Sequence, residues 1–585
     1  MKVLKIVVGV FFLLVVFAAA GLYFFLKTFD ANKFLPQITR QATEMIGRDL
    51  KIGRAELGFS FLNGIALQVK DIALADDPKF SDKPFLTVDR IDVGLNLGAL
   101  ILERKIQLAQ VVIVSPQIVI IRSKEGIINA ATMGPKPLAS SSAPASPAQG
   151  QPMAGLPALL VKDIKVVNAR VTYMDEMFAP RLALQVDRID MDAHDFSLTD
   201  PFNLTVKAAV FSAEQDVDGN ARIALDILKQ AAHIRQMSIQ VDLAKFETSR
   251  LENELPMLKA AALKKLEGMF KLSFPDMQVS AEGLASLKGQ AVMDKGFVLS
   301  ALFPVPVENI QVQADLDEKN INVKAFSYTL AEGTDNGTAL VSDYLSNPAV
   351  TATFDVKGIN AKKLAEGYKA PVSISGLISA AGNLKFAGKS PDEIFSSLSG
   401  SVKGELKDGV LENMNLIALG LGNIPMLPGL LDSVMPDLSP ETQDEVKKGI
   451  TRFETCKFEA HVVNGLMTFD TADITTRDLA VHASGTLRLM QDLSMKADIR
   501  MEKQLSGRLS GKVKKLSYLK DEEGRIYLPM SLSGPVMKPV VMPDLDYLTQ
   551  KLVLAAGGEQ LQKALGGSPA AAEAVGAIFD LFKKK

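Results

Sequence analysis

The sequence predicts a mostly β protein: an N-terminal transmembrane helix, a long antiparallel β body and a few helices. Three observations predict it. An apolar run of bilayer length lies near the N-terminus, apolar and polar residues alternate with period two through much of the rest, and five Asn-Gly or Asp-Gly pairs punctuate that alternation.

The run is Ile6 to Leu26, 21 residues without a charge, set between Lys5 and Lys27. About 20 apolar residues cross a bilayer core as a helix, because a helix satisfies its own backbone polar groups. A cleaved signal peptide is the rival reading, with Ala18-Ala19-Ala20 as a small-residue cleavage site. The run continues past that site through Phe24, Phe25 and Leu26. A released protein would carry these as a sticky N-terminus, so an uncleaved anchor is expected. Lys2 and Lys5 precede the run while Lys27, Lys33 and Arg40 follow it, so charge alone does not orient it. A short tail ahead of a very long domain is the usual signal-anchor layout. Residues 1–5 are therefore expected in the cytoplasm and the body on the far side.

Asp30 to Gly47 reads as an amphipathic helix, with Phe34, Ile38, Ala42 and Met45 at helical spacing. The period then switches to two. Ile91, Val93, Leu95 and Leu97 alternate with Arg90, Asp92, Gly94 and Asn96, and Val350, Ala352, Phe354 and Val356 alternate with polar neighbours in the same way. So do Cys456, Phe458, Ala460 and Val462, and so do Leu493, Met495, Ala497, Ile499 and Met501. Such strands have one dry and one wet face, as antiparallel sheets do. Asn63-Gly64, Asp218-Gly219, Asn336-Gly337, Asp408-Gly409 and Asn464-Gly465 read as tight hairpin turns, which need positive φ. Leu251, Leu255, Leu258, Ala262, Leu266 and Met269 predict a helix with a start or kink at Pro256. Ser568-Pro569 opens a second one, with Val575, Ile578, Phe579 and Phe582 as its stripe. Between Gly134 and Pro157, 18 of 24 residues are Pro, Ala, Ser or Gly. That composition predicts a flexible loop whose removal from Lys136 to Pro152 leaves the fold intact. Val88-Asp89-Arg90-Ile91-Asp92 recurs as residues 186–190, and Ala66-Leu67-Gln68-Val69 as residues 183–186, a trace of repeated strand units.

Composition excludes several functions. Lys+Arg (65) and Asp+Glu (67) nearly cancel, which rules out a polybasic nucleic-acid binder. The single Cys456 excludes an internal disulfide and a Cys-based zinc site. Asp187, Asp190, Asp192 and Asp195 lack the Gly turn and closing Glu of a calcium loop and read as a solvated strand face. Gly507 to Val513 is one residue short of a phosphate loop and lacks its Ser/Thr, so a strand or turn is expected. Gly420-Leu421-Gly422 lacks the third glycine of a dinucleotide fingerprint and reads as loop. His461 and His482 fall on neighbouring expected strands without a third ligand, and read as surface histidines. Cys456 falls on the dry face as an inert thiol. No nucleophile, base and orienter set emerges, so the chain is expected not to be an enzyme and to carry no catalytic, cofactor or metal residue.

The dry face must be buried against something. Either the body is a sandwich, or its sheet curls into a trough whose dry face holds acyl chains. Leu493, Met495, Ala497, Ile499 and Met501 are the candidate lining of such a groove.

Ile46-Gly47-Arg48-Asp49-Leu50-Lys51-Ile52, Asn63-Gly64-Ile65, Val69-Lys70-Asp71-Ile72-Ala73-Leu74 with Asp77-Pro78, and Lys124-Glu125-Gly126-Ile127-Ile128-Asn129 follow one another in the order found in the AsmA family. Leu398-Ser399-Gly400, Leu406-Lys407-Asp408-Gly409-Val410-Leu411 and a final hairpin from Leu528 to Pro535, with Lys538-Pro539 and Pro543-Asp544, resemble that family again. The resemblance implies a long curled antiparallel sheet with a hydrophobic groove, projecting from the inner membrane into the periplasm. It implies phospholipid movement to the outer membrane and support of its assembly, with phospholipid acyl chains and the inner membrane as partners. No cofactor comes with it. The alternative is a non-enzymatic scaffold or assembly factor for outer-membrane protein precursors, whose partners the sequence does not name. The expected sections are 27–133 (N-terminal β), 134–157 (loop), 158–390 (middle β and helix), 391–543 (C-terminal β) and 544–585 (helices).

Overall fold

A computed structural model describes residues 31–554, apart from 61–63, 96–107, 135–160, 368–373, 536–539 and shorter loop pieces. The expected anchor Ile6 to Leu26, nearly all of the Pro/Ala/Ser-rich loop and the expected helix after Ser568 lie outside the described residues. Among the described residues no helix is long and apolar enough to cross a membrane. The body is mostly β, as its alternation predicts, with twenty-four strands and short helices. It divides into two units, Met1–Leu302 with Asp315–Glu318, and Phe303–Ala314 with Lys319–Lys585.

The first unit holds β1 (Leu50–Ser60), β2 (Gly64–Ala75), β3 (Pro84–Leu95), β4 (Leu108–Val114), β5 (Gln117–Arg122), β6 (Val161–Asp175), β7 (Leu182–His194), β8 (Phe202–Ala209), β9 (Val217–Asp226), β10 (Ala231–Asp242), β11 (Leu263–Ser280) and β12 (Gly283–Ser300). Helix α1 (Leu35–Ile46) precedes them and α2 (Thr248–Glu254) interrupts them. Strands adjacent in sequence pair antiparallel, with one exception. β4 and β5, broken at Ser115-Pro116, share one place beside β3 and run parallel to β6. A parallel neighbour needs a crossover connection. Gly134 donates its N–H to Ile46 O at 2.8 Å, at the end where Arg122 faces Asp175, whereas Val161 faces Leu108 at the other end. The crossover therefore runs between Gly134 and Val161, through residues outside the described ones.

The second unit holds β14 (Asn320–Leu330), β15 (Gly333–Ser342), β16 (Ala349–Asn360), β17 (Ile374–Ala387), β18 (Ser399–Leu411), β19 (Thr451–Val463), β20 (Leu466–Thr475), β21 (Leu479–Arg488), β22 (Asp492–Met501), β23 (Tyr527–Pro535) and β24 (Val540–Pro543), each antiparallel to the next. β13 (Val307–Leu316) is divided between the two units. Helices α3 (Ala361–Gly367) and α4 (Pro391–Ser397) flank β17, and α5 (Leu416–Gly422), α6 (Leu430–Val434) and α7 (Pro440–Lys448) lie between β18 and β19. Helix α8 (Lys503–Lys512) follows β22, and α9 (Leu545–Leu548) follows β24. The largest core packs Leu421 of α5, Val434 of α6, Leu505 and Leu509 of α8, and Leu516 and Leu519 beyond it onto Ile499, Met501 and Leu528 of the sheet.

Four expectations are corrected. The helical spacing from Leu251 to Met269 ends with α2, and Leu263 onward is β11. Leu266 pairs with Val298 while Met269 pairs with Asp242 and Asp294, so the last two residues of the expected stripe sit on a bulged strand rather than on one helix face. Of the five Gly pairs, Asn464-Gly465 is a two-residue turn with φ of 51° and 75°, between Val463 and its partner Leu466. Gly64 pairs with Ser60 at the β1–β2 turn, whose residues 61–63 are outside the described residues. The other three pairs lie inside β9, β15 and β18. The phosphate-loop lookalike is α8, capped by Glu502 accepting from Leu505 N at 2.9 Å, and open space beside Gly507 and Gly511 lets glycines occupy its outer side. Gly420-Leu421-Gly422 is the last turn of α5, whose first turn Asn415 caps by accepting from Ala418 N at 2.8 Å. Gly420 lets α5 approach Leu528 and Ile499 closely. The recurring words fall on β2 and β3 in one copy but together on β7 in the other, where Arg188 adds a positive-φ kink absent at Arg90.

Candidate functional site

Residues paired across a ladder point to the same side of the sheet, so the registers trace continuous rows. In the first unit one row runs Ala55, Val69, Ile91, Ile113, Val166, Met191, Val206, Gly219, Ile239, Leu272, Ala291. It crosses eleven strands and meets no polar side chain. The row one residue along faces the other way: Gln68, Asp92, Val112, Lys165, Asp192, Thr205, Asn220, Ser238, Ser273, Gln290, with Val112 its one apolar member.

The second unit repeats the pattern. Phe326, Gly337, Phe354, Gly382, Val402, Ala460, Phe469, Gly485, Met495, Leu532 and Val541 form a row across β14 to β24. The reverse face carries Thr338, Thr353, Asn383, Ser401, His461, Thr468, Thr486, Ser494 and Ser533. At about 4.8 Å between strands, a row of eleven is about 48 Å long. Most of these apolar residues are half-buried, short of the burial a covering layer would give.

The candidate lining residues all lie on this apolar face, in two settings. Ala497, Ile499 and Met501 are at most 5% exposed beneath the helices. Leu493 and Met495, farther along the same strand, are half-buried. Lys496, next to Met495, is exposed on the polar face. Cys456 is on the apolar face, where burial first and the Asp473 carboxylate second push its thiol up to about 11.

The polar face carries charge pairs. All four histidines pair with an aspartate on a neighbouring strand: His194 with Asp163 (2.8 Å), His233 with Asp276, His461 with Asp470 (3.0 Å) and His482 with Asp473 (2.6 Å). His461 and His482 are two strands apart, with β20 between supplying both partners. Asp187 is held by Arg170 (2.5 Å) and Arg250 (3.0 Å). Burial raises its carboxyl, but hydrogen bonds from Gln185 and Arg170 and the two arginine charges outweigh that and hold it below the usual range. Asp190 accepts from Asn168 N and Gln215 Nε2, both at 2.8 Å. Asp192 joins Asp163 and His194 in one group, the two aspartates half-buried and the histidine exposed, with Lys165 at 3.2 Å as counter-charge.

The residues that sequence reasoning missed close one end of the first unit. Arg48, 6% exposed, donates to Asp76 Oδ1 (3.0 Å), Thr132 Oγ1 (2.7 Å) and Asn129 O, and its guanidinium stacks over Phe85. Asn129, fully buried, donates to Asp76 Oδ2 (2.8 Å) and Val119 O (3.0 Å) and accepts from Ile121 N (3.0 Å). Charge-assisted hydrogen bonds make a buried cluster of this kind hold its elements in one arrangement. It fastens the chain leaving α1 to the ends of β2 and β5. Arg48 and Asn129 belong to two of the short words quoted above, and Asp76 adjoins another. Their order in sequence was the signal, and their convergence was not visible in it.

No curated protein matches the chain. A family model described as the AsmA family matches residues 1–296, which takes in the words up to Asn129 and leaves those after Leu398 beyond it. With half of its length matched, the chain belongs to the AsmA family.

Proposed function

We propose that the apolar face holds the acyl chains of phospholipids, and that the protein carries lipid through the periplasm toward the outer membrane and so supports its assembly. The observation that carries this reading is the unbroken apolar row across eleven strands, half-exposed and backed by a polar face. Exposing acyl chains to water costs about 0.8 kcal/mol per CH₂. A continuous apolar path removes that cost along its length. A chain in one leaflet spans about 15 Å, half of a bilayer core, so one row has room for several. Such movement makes and breaks no bond, so the reading needs no enzyme activity and no cofactor. Ile6 to Leu26 serves as the inner-membrane anchor, with the body in the periplasm.

The test is mass spectrometry of lipids retained by the purified full-length protein. Phospholipid in stoichiometric amounts is expected. A lipid-free protein that instead retains unfolded outer-membrane protein would replace this reading with the scaffold reading. A periplasm-dependent reporter fused after Lys585 should be active; activity of a cytoplasmic reporter there would overturn the topology.

A further inference from the structure

The apolar face is paved in an unusual way. Five phenylalanines meet a glycine on the next strand, and in each case the ring sits where the glycine's side chain would begin. A Cβ on Gly404 would lie 2.5 Å from Phe458 Cζ, on Gly337 2.5 Å from Phe326 Cζ and on Gly382 2.9 Å from Phe354 Cζ; on Gly337 and Gly382 it would also meet a backbone carbonyl oxygen, of Thr353 and Ser401, closer still. On Gly289 it would lie 2.5 Å from Phe274 Cδ1, and on Gly409 2.0 Å from Phe453 Cζ. Real atoms cannot approach so closely, so each pair depends on the glycine having no side chain. Side chains on a strand normally stand roughly perpendicular to the sheet. These rings instead lie along the sheet, over the neighbouring backbone.

Covering a glycine with a ring stabilises a sheet, and that alone accounts for Phe453, which is 5% exposed in a closed core. It does not account for Phe326, Phe354 and Phe458, which remain half-buried on the part of the face that no helix covers. There a ring lying down changes what the face can hold. An upright phenylalanine would project into the space above the sheet and divide it. A ring lying over glycine leaves that space clear while still offering carbon to whatever lies on it.

Building on the lipid-binding reading above, we infer that these glycines are positioning residues for the ligand: by letting Phe326, Phe354 and Phe458 lie flat, they keep a clear apolar floor on which extended, unbranched acyl chains rest.

The experiment uses the full-length protein in detergent and a fluorescent diacyl phosphatidylethanolamine as the probe. Gly404→Ala lifts the Phe458 ring, its Cβ also lying 2.9 Å from Ser379 O, and Gly289→Ala lifts Phe274 in the first unit, a ring only 9% exposed that serves as the buried comparison. Each is compared with the double variants Gly404→Ala/Phe458→Ala and Gly289→Ala/Phe274→Ala. The expected result is a fall in probe affinity of about tenfold in the Gly404→Ala variant, as for two methylenes left in water, restored in the double variant. Unfolding temperature separates loss of fold from loss of site, because a purely structural role predicts that stability falls and affinity of the folded fraction does not. Unchanged affinity in the Gly404→Ala variant, with the wild type binding the probe, overturns the inference and leaves the lipid reading standing. A wild type that does not bind the probe overturns the lipid reading itself.

Discussion

Along β22 the sequence pattern is uniform, but its two halves meet different surroundings. Ala497, Ile499 and Met501 lie under Leu421, Leu505 and Leu509 in the closed core of the second unit. Leu493 and Met495, on the same face with the same alternation, have Gly485, Leu487, Leu532 and Gly534 beside them on the sheet and stay half-buried. Alternation therefore reports which face of a strand is dry. What keeps it dry is decided by segments far away in sequence, here α5, α6 and α8. This unit has an end covered by helices, and a half-buried apolar stretch that runs from β14 to the Leu493–Met495 end of β22.

The contrast predicts its largest effect for a charge. Ala497→Asp places an unpaired carboxylate in the closed core and should cost about 3–5 kcal/mol. Met495→Asp should cost less than about 1.5 kcal/mol, since water reaches the site. Denaturant unfolding of both variants measures the difference, and equal costs would mean that the open stretch is covered too.

The first unit's closed end supplies a polar counterpart. Asp76→Ala leaves the Arg48 guanidinium, 4% exposed, without its carboxylate. A loss of about 3 kcal/mol is expected, with hydrogen exchange rising at Ile121 and Ala130, whose amides bond Asn129. Unchanged protection there would show that the cluster does not hold the end together.

Truncation gives a smaller version of the first test. Leu509→Ala, at a site with no exposure, should cost about 2–5 kcal/mol. Leu384→Ala, half-buried on β17, should cost about 1 kcal/mol. A reversed order would contradict the assignment of covered and open regions.

The smallest effect concerns the crossover. β6 has 15 residues, so the return path from Gly134 to Val161 covers about 45 Å. Removing 136–152 leaves residue 135 and residues 153–160, which reach at most about 36 Å when extended. That deletion, harmless by composition alone, should therefore disturb β6. Removing 139–148 instead should leave stability within about 0.5 kcal/mol of the wild type. Thermal unfolding of the two deletions decides it.

These contrasts also mark what could be read in advance. The strands of β3, β16, β19 and β22 were legible because their alternation is clean. β11 was not, because four register shifts interrupt its pairing with β12. Asp218-Gly219, Asn336-Gly337 and Asp408-Gly409 look like turns, yet Gly337 and Gly409 lie under phenylalanine rings within strands. α8 was hidden by glycines on its solvent side. The five candidate lining residues share the apolar face, as their alternation predicts, but their division into covered and open parts depends on helices that sequence alone could not dock. The Arg48 cluster joins residues up to 84 apart, and nothing local marks such a meeting.

The most direct measurement of the central claim is photocrosslinking in intact cells at two adjacent positions of β22. A photoreactive residue at Met495, on the open apolar stretch, should capture phospholipid, and one at Lys496, on the reverse face, should not. Equal capture at both positions, or none at either in a folded protein, would contradict the claim that this face carries lipid.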